Sequence, residues 1–260
     1  MISIKSEKEI ELMRKAGYLV SLTHQYLKPF VKAGITTKEL DNLAEKFIRE
    51  HDGIPSCKGY EGFPCALCVS VNDEVVHGIP SNRKLQNGDI VTIDMVIGYK
   101  GYQGDAAWTY AVGEIDEEKK YLMEHTEQAL YEGIKEVKPG AHIGDISHAV
   151  EVYATEHNLG VVRELCGHGI GTDMHEDPEV PNFGKPGVGP RLKEGMVICI
   201  EPMLNAGSRN VVLLDDDWTV VTLDGKPAAH YEHTVLVTKD GCIILTGEWE
   251  NWQNPKRMIK

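Results

Sequence analysis

Two aspartates, Asp94 and Asp105, stand among residues that belong in a core, in the stretch VTIDMVIGYKGYQGDAAWTY at 91–110. The stretch reads as two strands joined at Gly98-Tyr99-Lys100-Gly101. With the turn centred between Tyr99 and Lys100, Gly98 faces Gly101 and Asp94 faces Asp105, where Cβ atoms lie roughly 4.5–5.5 Å apart and like charges repel. Alternation sorts Thr92, Val96, Gln103, Ala107 and Thr109 onto the acid face. Val91, Ile93, Met95, Ile97, Ala106, Trp108 and Tyr110 fall on the other, which is apolar enough to pack on helices. For this hairpin alone, a cation held between the carboxylates and a plain solvated face both stay open.

An internal repeat adds to the acids. Lys32-Ala-Gly34 opens a segment that runs to His51, and Lys138-Pro-Gly140 opens one that runs to His157, each seventeen residues from Gly to His. LQNGDIVTID (85–94) matches LKEGMVICIE (192–201), so Asp94 corresponds to Glu201. Both halves carry His-Gly-Ile, at His77 and His168, and a later acid-bearing strand, around Asp105 and around Glu232. The repeat therefore predicts four converging acids, Asp94, Asp105, Glu201 and Glu232, which cannot all ionise without counter-charge. Two divalent ions about 3.5–4 Å apart would supply it. His168, bracketed by glycines in CGHGIG, is a candidate nitrogen ligand. Such an oxygen-rich set with one imidazole suits Mn, Fe, Co or Zn.

These side chains need a scaffold. Ser6-x-x-Glu9 and Thr36-x-x-Glu39 are capping boxes, so helices are expected over about 6–30 and 37–51. Strands follow around 66–77, 90–97 and 102–112. The second half repeats helices at 116–136 and 143–157, then strands at 161–167, 174–177, 196–201, 211–214, 217–222, 229–238 and 241–245. The expected fold class is α+β: two αα-ββ halves, about 6–112 and 113–245, related by a pseudo-twofold axis within one domain spanning 1–247. A polar tail, 248–260, carries Trp249 and Trp252 and is given no role.

Composition narrows the class of partner. A net charge of −13 gives no general attraction for nucleic acid or anionic membrane, so neither is expected to bind. No run reaches the ~18 apolar residues of a membrane span, and the charged N-terminus does not read as a signal peptide. Six cysteines without a secretory signal point to reduced thiols and a cytoplasmic setting. The Cys65-Ala-Leu-Cys68 pair lacks the second pair of ligands that a structural zinc site requires.

The ordered set of two aspartates, a histidine and two glutamates, in the contexts IDMVIGYKGYQGDAAWT, CGHGIG, IEP and YEHT, closely resembles the type I methionine aminopeptidases of bacteria, over about residues 2 to 247. EVVHGIP around His77 and MHEDP around His175 extend the resemblance. It implies the pita-bread fold, a central antiparallel sheet enclosing a dinuclear site, with Asp94, Asp105, His168, Glu201 and Glu232 as ligands of two divalent metal ions. It also implies removal of N-terminal methionine from nascent chains and peptides, with preference for a small second residue, through attack of a metal-activated water on the first peptide bond. Glu201 would be ligand and proton acceptor, His77 would lie near the substrate amine and departing nitrogen, and His175 near the carbonyl oxygen. Cys57, Tyr60, Phe63, Cys68 and Trp218 would line the methionine pocket. A monomer with transient ribosome contact is expected.

The match has departures and alternatives. Phe63 stands where many relatives have Tyr, Met174 where an aromatic is common, and His230 where Gln is frequent. Relatives that cleave next to proline share the ligand set but normally carry an extra N-terminal domain, for which this chain is expected to have no room. The eukaryotic zinc-binding extension and the long type II insertion before the last acid are likewise expected to be absent. A protein of this fold that has lost catalysis and serves as a binding module would typically lack the ligands, and all five residue types are in position.

Overall fold

A computed structural model describes residues 1–247, so the tail at 248–260 lies outside the described residues. Among the described residues four α-helices are formed: α1, Glu7–Leu27; α2, Thr37–Glu50; α3, Glu117–Lys135; and α4, Ile143–Glu156. Their starts follow from capping chemistry, which satisfies backbone donors that the helix leaves unpaired. The Glu9 carboxylate accepts from the Ser6 N–H at 2.7 Å, and that of Glu39 from the Thr36 N–H at 2.8 Å. Asp116 caps α3 by accepting from the Lys119 N–H at 2.9 Å. The first helix ends three residues earlier than expected, where Pro29 opens a 3₁₀ turn over Lys28–Phe30.

The strands pair antiparallel throughout the described residues. One sheet holds Ile90–Tyr99 between Tyr102–Ala111 on one edge and Cys68–Val71 with Ile54–Pro55 on the other. A five-stranded sheet runs in the order Gly241–Ile244, His233–Thr238, Val197–Ile200, Gly167–Gly169, Glu176–Val180. Two three-stranded sheets complete the set, one built from Ala228–His230, Met203–Asn205 and Gly160–Val161, the other from Val211–Leu213, Val220–Thr222 and Glu74–Val76. The mixture of helix and antiparallel sheet is the α+β class expected. Helices α1 and α2 cover the first sheet through Leu19, Val20, Leu40, Ala44 and Ile48 packed on Val91, Ile93, Met95, Ile97 and Ala106.

The register of the central hairpin differs from expectation. Tyr99 pairs with Tyr102, so Asp94 lies opposite Ala107 and Asp105 opposite Val96. The turn is Lys100-Gly101, both at positive φ, 48° and 86°. Two such residues make the tight hairpin turn whose twist matches that of the strands. The acids are therefore diagonal neighbours rather than directly opposed, and they remain on one face. The expected 66–77 strand is broken at Asn72, at φ 58°, and the expected 229–238 strand breaks before His233. The Met203–Asn205 strand was not anticipated.

Hydrogen bonds stitch the hairpin to the C-terminal strands. The Glu232 N–H donates to the Ala107 carbonyl at 2.9 Å, and the Asp105 N–H to Thr234 Oγ1 at 3.0 Å. Thr234 Oγ1 donates in turn to the Asp105 carbonyl at 2.8 Å. These bonds bring the two acid-bearing segments side by side.

Candidate metal centre and substrate pocket

Each acid reaches the centre from a strand or its end. Asp94 and Asp105 project from the hairpin face described above. Glu201 follows the Val197–Ile200 strand, and its carbonyl accepts from Asn182 Nδ2 at 3.0 Å. Glu232 sits in the two-residue gap between Ala228–His230 and His233–Thr238. His168 is the middle residue of Gly167–Gly169, which is squeezed between two strands. A Cβ on Gly167 would collide with the Cys199 carbonyl and one on Gly169 with the Asp177 carbonyl, which explains the bracketing glycines.

Side-chain atoms of Asp105, His168, Cys199 and Glu232 lie within 4.8 Å of one another, as do those of Glu201, His230 and Glu232. His168 Nε2 is 3.7 Å from Asp105 Oδ2 and 3.5 Å from Glu201 Oε1. Asp94 belongs to neither tight group, yet its charge raises the pKa of Asp105, Glu201 and Glu232. Four of the five expected ligands thus cluster closely, and Asp94 stands just outside them. Cys199, which the sequence did not single out, joins the first group. Burial, followed by Glu232 and Asp105, pushes its thiol pKa well up, so it stays protonated and 3.7 Å from Thr234 Oγ1.

Electrostatics show how poorly the acids are compensated. Asp94 keeps part of its surface exposed, yet burial of its carboxyl pushes its pKa up to about 7. Asp105, Glu201 and Glu232 are raised well above the carboxylate range, by burial first and by one another's charges second. Asp105 Oδ1, Glu201 Oε1 and Glu232 Oε1 are buried with no hydrogen-bond partner among the described residues. Orphaned carboxylate oxygens facing one another fit divalent cations, whose charge would replace the missing donors. His168 suits the same purpose. Burial lowers its pKa to about 4, so the ring is neutral. Its Nδ1 lies 2.9 Å from the Gly169 carbonyl; with the proton there, Nε2 offers its lone pair to the acids.

An apolar cluster adjoins this centre. Cys57, Phe63, Cys68, Val96 and Met174 form a buried cluster, with Tyr60, Cys65, Ile79 and Trp218 packed against it. All five expected lining residues are in this group. Cys68 pairs with Asp94 across the ladder and Val96 with Asp105, which puts the cluster and the acids on adjoining parts of one sheet. Phe63 meets Trp218 edge-on with centroids 5.0 Å apart. His77 stands 6.4 Å from Trp218 and holds φ at 59°, a left-handed conformation uncommon for a residue with a side chain. His175, exposed at the rim, packs its ring 4.4 Å from that of His168. Tyr60 Oη lies 2.8 Å from His175 Nδ1. Sequence reading missed this Tyr60–His175 bond and the Asn182 support of Glu201, since each joins residues remote in the chain.

Comparison with known proteins agrees with this geometry. The model of metallopeptidase family M24 matches residues 11–239. The chain is 54% identical over 246 residues to methionine aminopeptidase 1 of Bacillus subtilis, covering 95% of this chain and 99% of that protein. The crystal structure of methionine aminopeptidase from Rickettsia prowazekii superposes with a TM-score of 0.94 at 44% identity, covering 95% of this chain and 100% of that one. Prolidase from Pyrococcus furiosus, at 22% identity and a TM-score of 0.76, covers 94% of this chain and 65% of that one and shares the fold alone. The architecture is the pita-bread fold. Metal-ligating residue types in a buried acid cluster, a full-length family match and a relative more than half identical lead to one assignment: the chain belongs to metallopeptidase family M24, among the bacterial type I methionine aminopeptidases.

Proposed function

We propose that this protein removes N-terminal methionine from nascent chains and peptides, preferring a small second residue, by hydrolysing the first peptide bond at a dinuclear metal centre. The observation that carries this reading is the set of orphaned oxygens on Asp105, Glu201 and Glu232 beside an apolar cluster of sulfur-bearing and aromatic side chains. Asp94, Asp105, His168, Glu201 and Glu232 would hold two divalent ions drawn from Co, Mn, Fe and Zn. When bound, the ions acidify a water molecule and polarise the scissile carbonyl.

The chain's own residues do the rest. Glu201 accepts the proton released from that water and passes it towards the leaving amine. His175 stabilises negative charge on the carbonyl oxygen. With the Tyr60 hydroxyl donating to Nδ1 of His175 across their 2.8 Å contact, the ring proton would sit on Nε2 and make that nitrogen the donor. His77 attends the substrate amine and the departing nitrogen. The methionine thioether enters among Cys57, Tyr60, Phe63, Cys68 and Trp218, where sulfur–aromatic contact is favourable. Residues 1–247 act as one catalytic unit of two pseudo-repeated halves, a monomer that works in the cytoplasm with transient ribosome contact.

Hydrolysis of Met-Ala-Ser against Xaa-Pro peptides tests the assignment, with chelation by EDTA and restoration by Mn, Co or Fe. Methionine release that ignores the chelator, or a preference for the proline peptides, would overturn it. Glu201→Gln is expected to abolish turnover while the protein still folds, and appreciable residual activity would remove Glu201 from its role.

A further inference from the structure

His230 has no part in the ligand set given above, and its surroundings call for one. The residue is 1% exposed, and both its ring nitrogens are buried with no hydrogen-bond partner among the described residues. A buried imidazole normally has at least one nitrogen satisfied. Its Nε2 lies 3.9 Å from Glu201 Oε2 and 3.8 Å from Glu232 Oε2, too far for hydrogen bonds.

Those separations have a simple meaning in a metal site. Two donors each about 2.1 Å from one ion stand roughly 3.0 Å apart at a right angle and roughly 4.2 Å apart in opposition. The His230 distances fall in that window, as do those from His168 to Asp105 and Glu201, 3.7 and 3.5 Å. Glu201 lies between the two imidazoles, with Oε1 towards His168 and Oε2 towards His230. The backbone at His230 is also fixed. Its N–H donates to Thr109 Oγ1 at 3.1 Å, Thr109 Oγ1 lies 2.9 Å from its carbonyl, and it pairs with Met203 in the ladder.

We propose that His230 is a sixth protein ligand, giving the centre a second imidazole on the side of Glu201 and Glu232. The inference rests on the dinuclear reading and deepens it. A second nitrogen donor shifts preference away from Mg and Mn, which favour oxygen, and towards Fe, Co and Zn.

The test counts coordinated imidazoles without reference to activity. Chelator-stripped protein is loaded with Co(II), and the proton NMR spectrum in water is searched for exchangeable, hyperfine-shifted imidazole N–H resonances. Two are expected in the unsubstituted protein, from His168 and His230, and one in His230→Gln. Calorimetric titration of His230→Gln with Co(II) is expected to weaken one binding event by more than about tenfold. A single shifted resonance in the unsubstituted protein overturns the proposal and leaves the dinuclear reading standing, and this outcome needs no variant to fold. Failure of the unsubstituted protein to bind Co(II) at all overturns the dinuclear reading itself.

Discussion

Asp94→Asn should stabilise the cation-free protein and destabilise the cation-loaded one. Burial raises the Asp94 carboxyl from its ordinary 3.8 to about 7. Below the unfolded value both states hold the proton and Asp94 adds no penalty. Between the two values the folded chain keeps a proton that the unfolded chain releases, so stability falls as pH rises, and above about 7 the loss is complete. A shift of about three units corresponds to up to about 4 kcal/mol. Asparagine has nearly the same shape and no charge, so at about pH 8 in EDTA the variant should be more stable by up to that amount, and at about pH 5 by less than about 2 kcal/mol. With excess Mn(II) the sign reverses, because the loaded centre loses an anionic partner. Urea unfolding followed by circular dichroism, in EDTA and in Mn(II) at both pH values, reads all four numbers. Destabilisation in EDTA at the higher pH, or a gain that ignores pH, would refute the account of the acids as uncompensated charge.

Three further outcomes follow from named contacts. His175→Ala should lower kcat on Met-Ala-Ser by about 10²–10³ with little change in KM, the loss expected when one donor to a developing oxyanion is removed. The Lys5 ammonium lies 2.7 Å from Glu176 with side chains 5% and 15% exposed, tying the N-terminus to the residue after His175. Lys5→Met should cost up to about 3 kcal/mol in urea unfolding by leaving Glu176 with only the Ser3 hydroxyl at 2.6 Å and the Asp173 N–H at 3.4 Å, and Glu176→Gln in the same chain should recover most of it. His24 is held near 4 by burial, with Tyr110 Oη 3.0 Å from Nδ1 and the Ala106 carbonyl 3.2 Å from Nε2. The unfolded ring takes its proton near 6.5, so His24 contributes a loss of about 1.4 kcal/mol per pH unit as pH falls from there towards 4, and buried His233, lowered to about 3, adds a similar share. His24→Gln should remove its own share and leave that of His233, measured as unfolding midpoints across the pH range.

The faces of the central hairpin were legible in the sequence, but its register was not, for a reason inherent in the pattern. A slip of one residue exchanges the two faces of a strand and exposes its core, so alternation reports it. The difference between the expected and observed pairings moves Asp94 from opposite Asp105 to opposite Ala107, two residues along, and leaves every side chain on its own face. What decides between the frames is the left-handed pair Lys100-Gly101, and the glycines at 98 and 101 made a longer turn equally plausible. The helices were legible because their capping residues act within three positions. Support for the site was not, since the bonds from Asn182 to Glu201, Tyr60 to His175 and Thr234 to Asp105 link residues 19, 115 and 129 apart.

Acids of one chemical type serve opposite ends here, and hydrogen bonding separates them. Asp41 is 6% exposed, as deeply buried as the acids of the site, yet its carboxylate accepts from the N–H groups of Ala66 and Leu67, each at 2.9 Å. Asp216 accepts from the N–H groups of Trp218 and Thr219, and Asp224 from those of Ser208 and Lys226. In each case the backbone supplies the donors and the acid braces a turn or loop. Asp105, Glu201 and Glu232 have oxygens for which the fold supplies none, although Ala107, Thr234 and Asn182 hold the main chains that carry them. The side-chain donors of Thr234 and Asn182 were thus available nearby and were spent on backbone carbonyls. A fold that grips the main chain of its acids and leaves their oxygens bare is organised for a cation, since a structural role would have matched those oxygens with N–H groups.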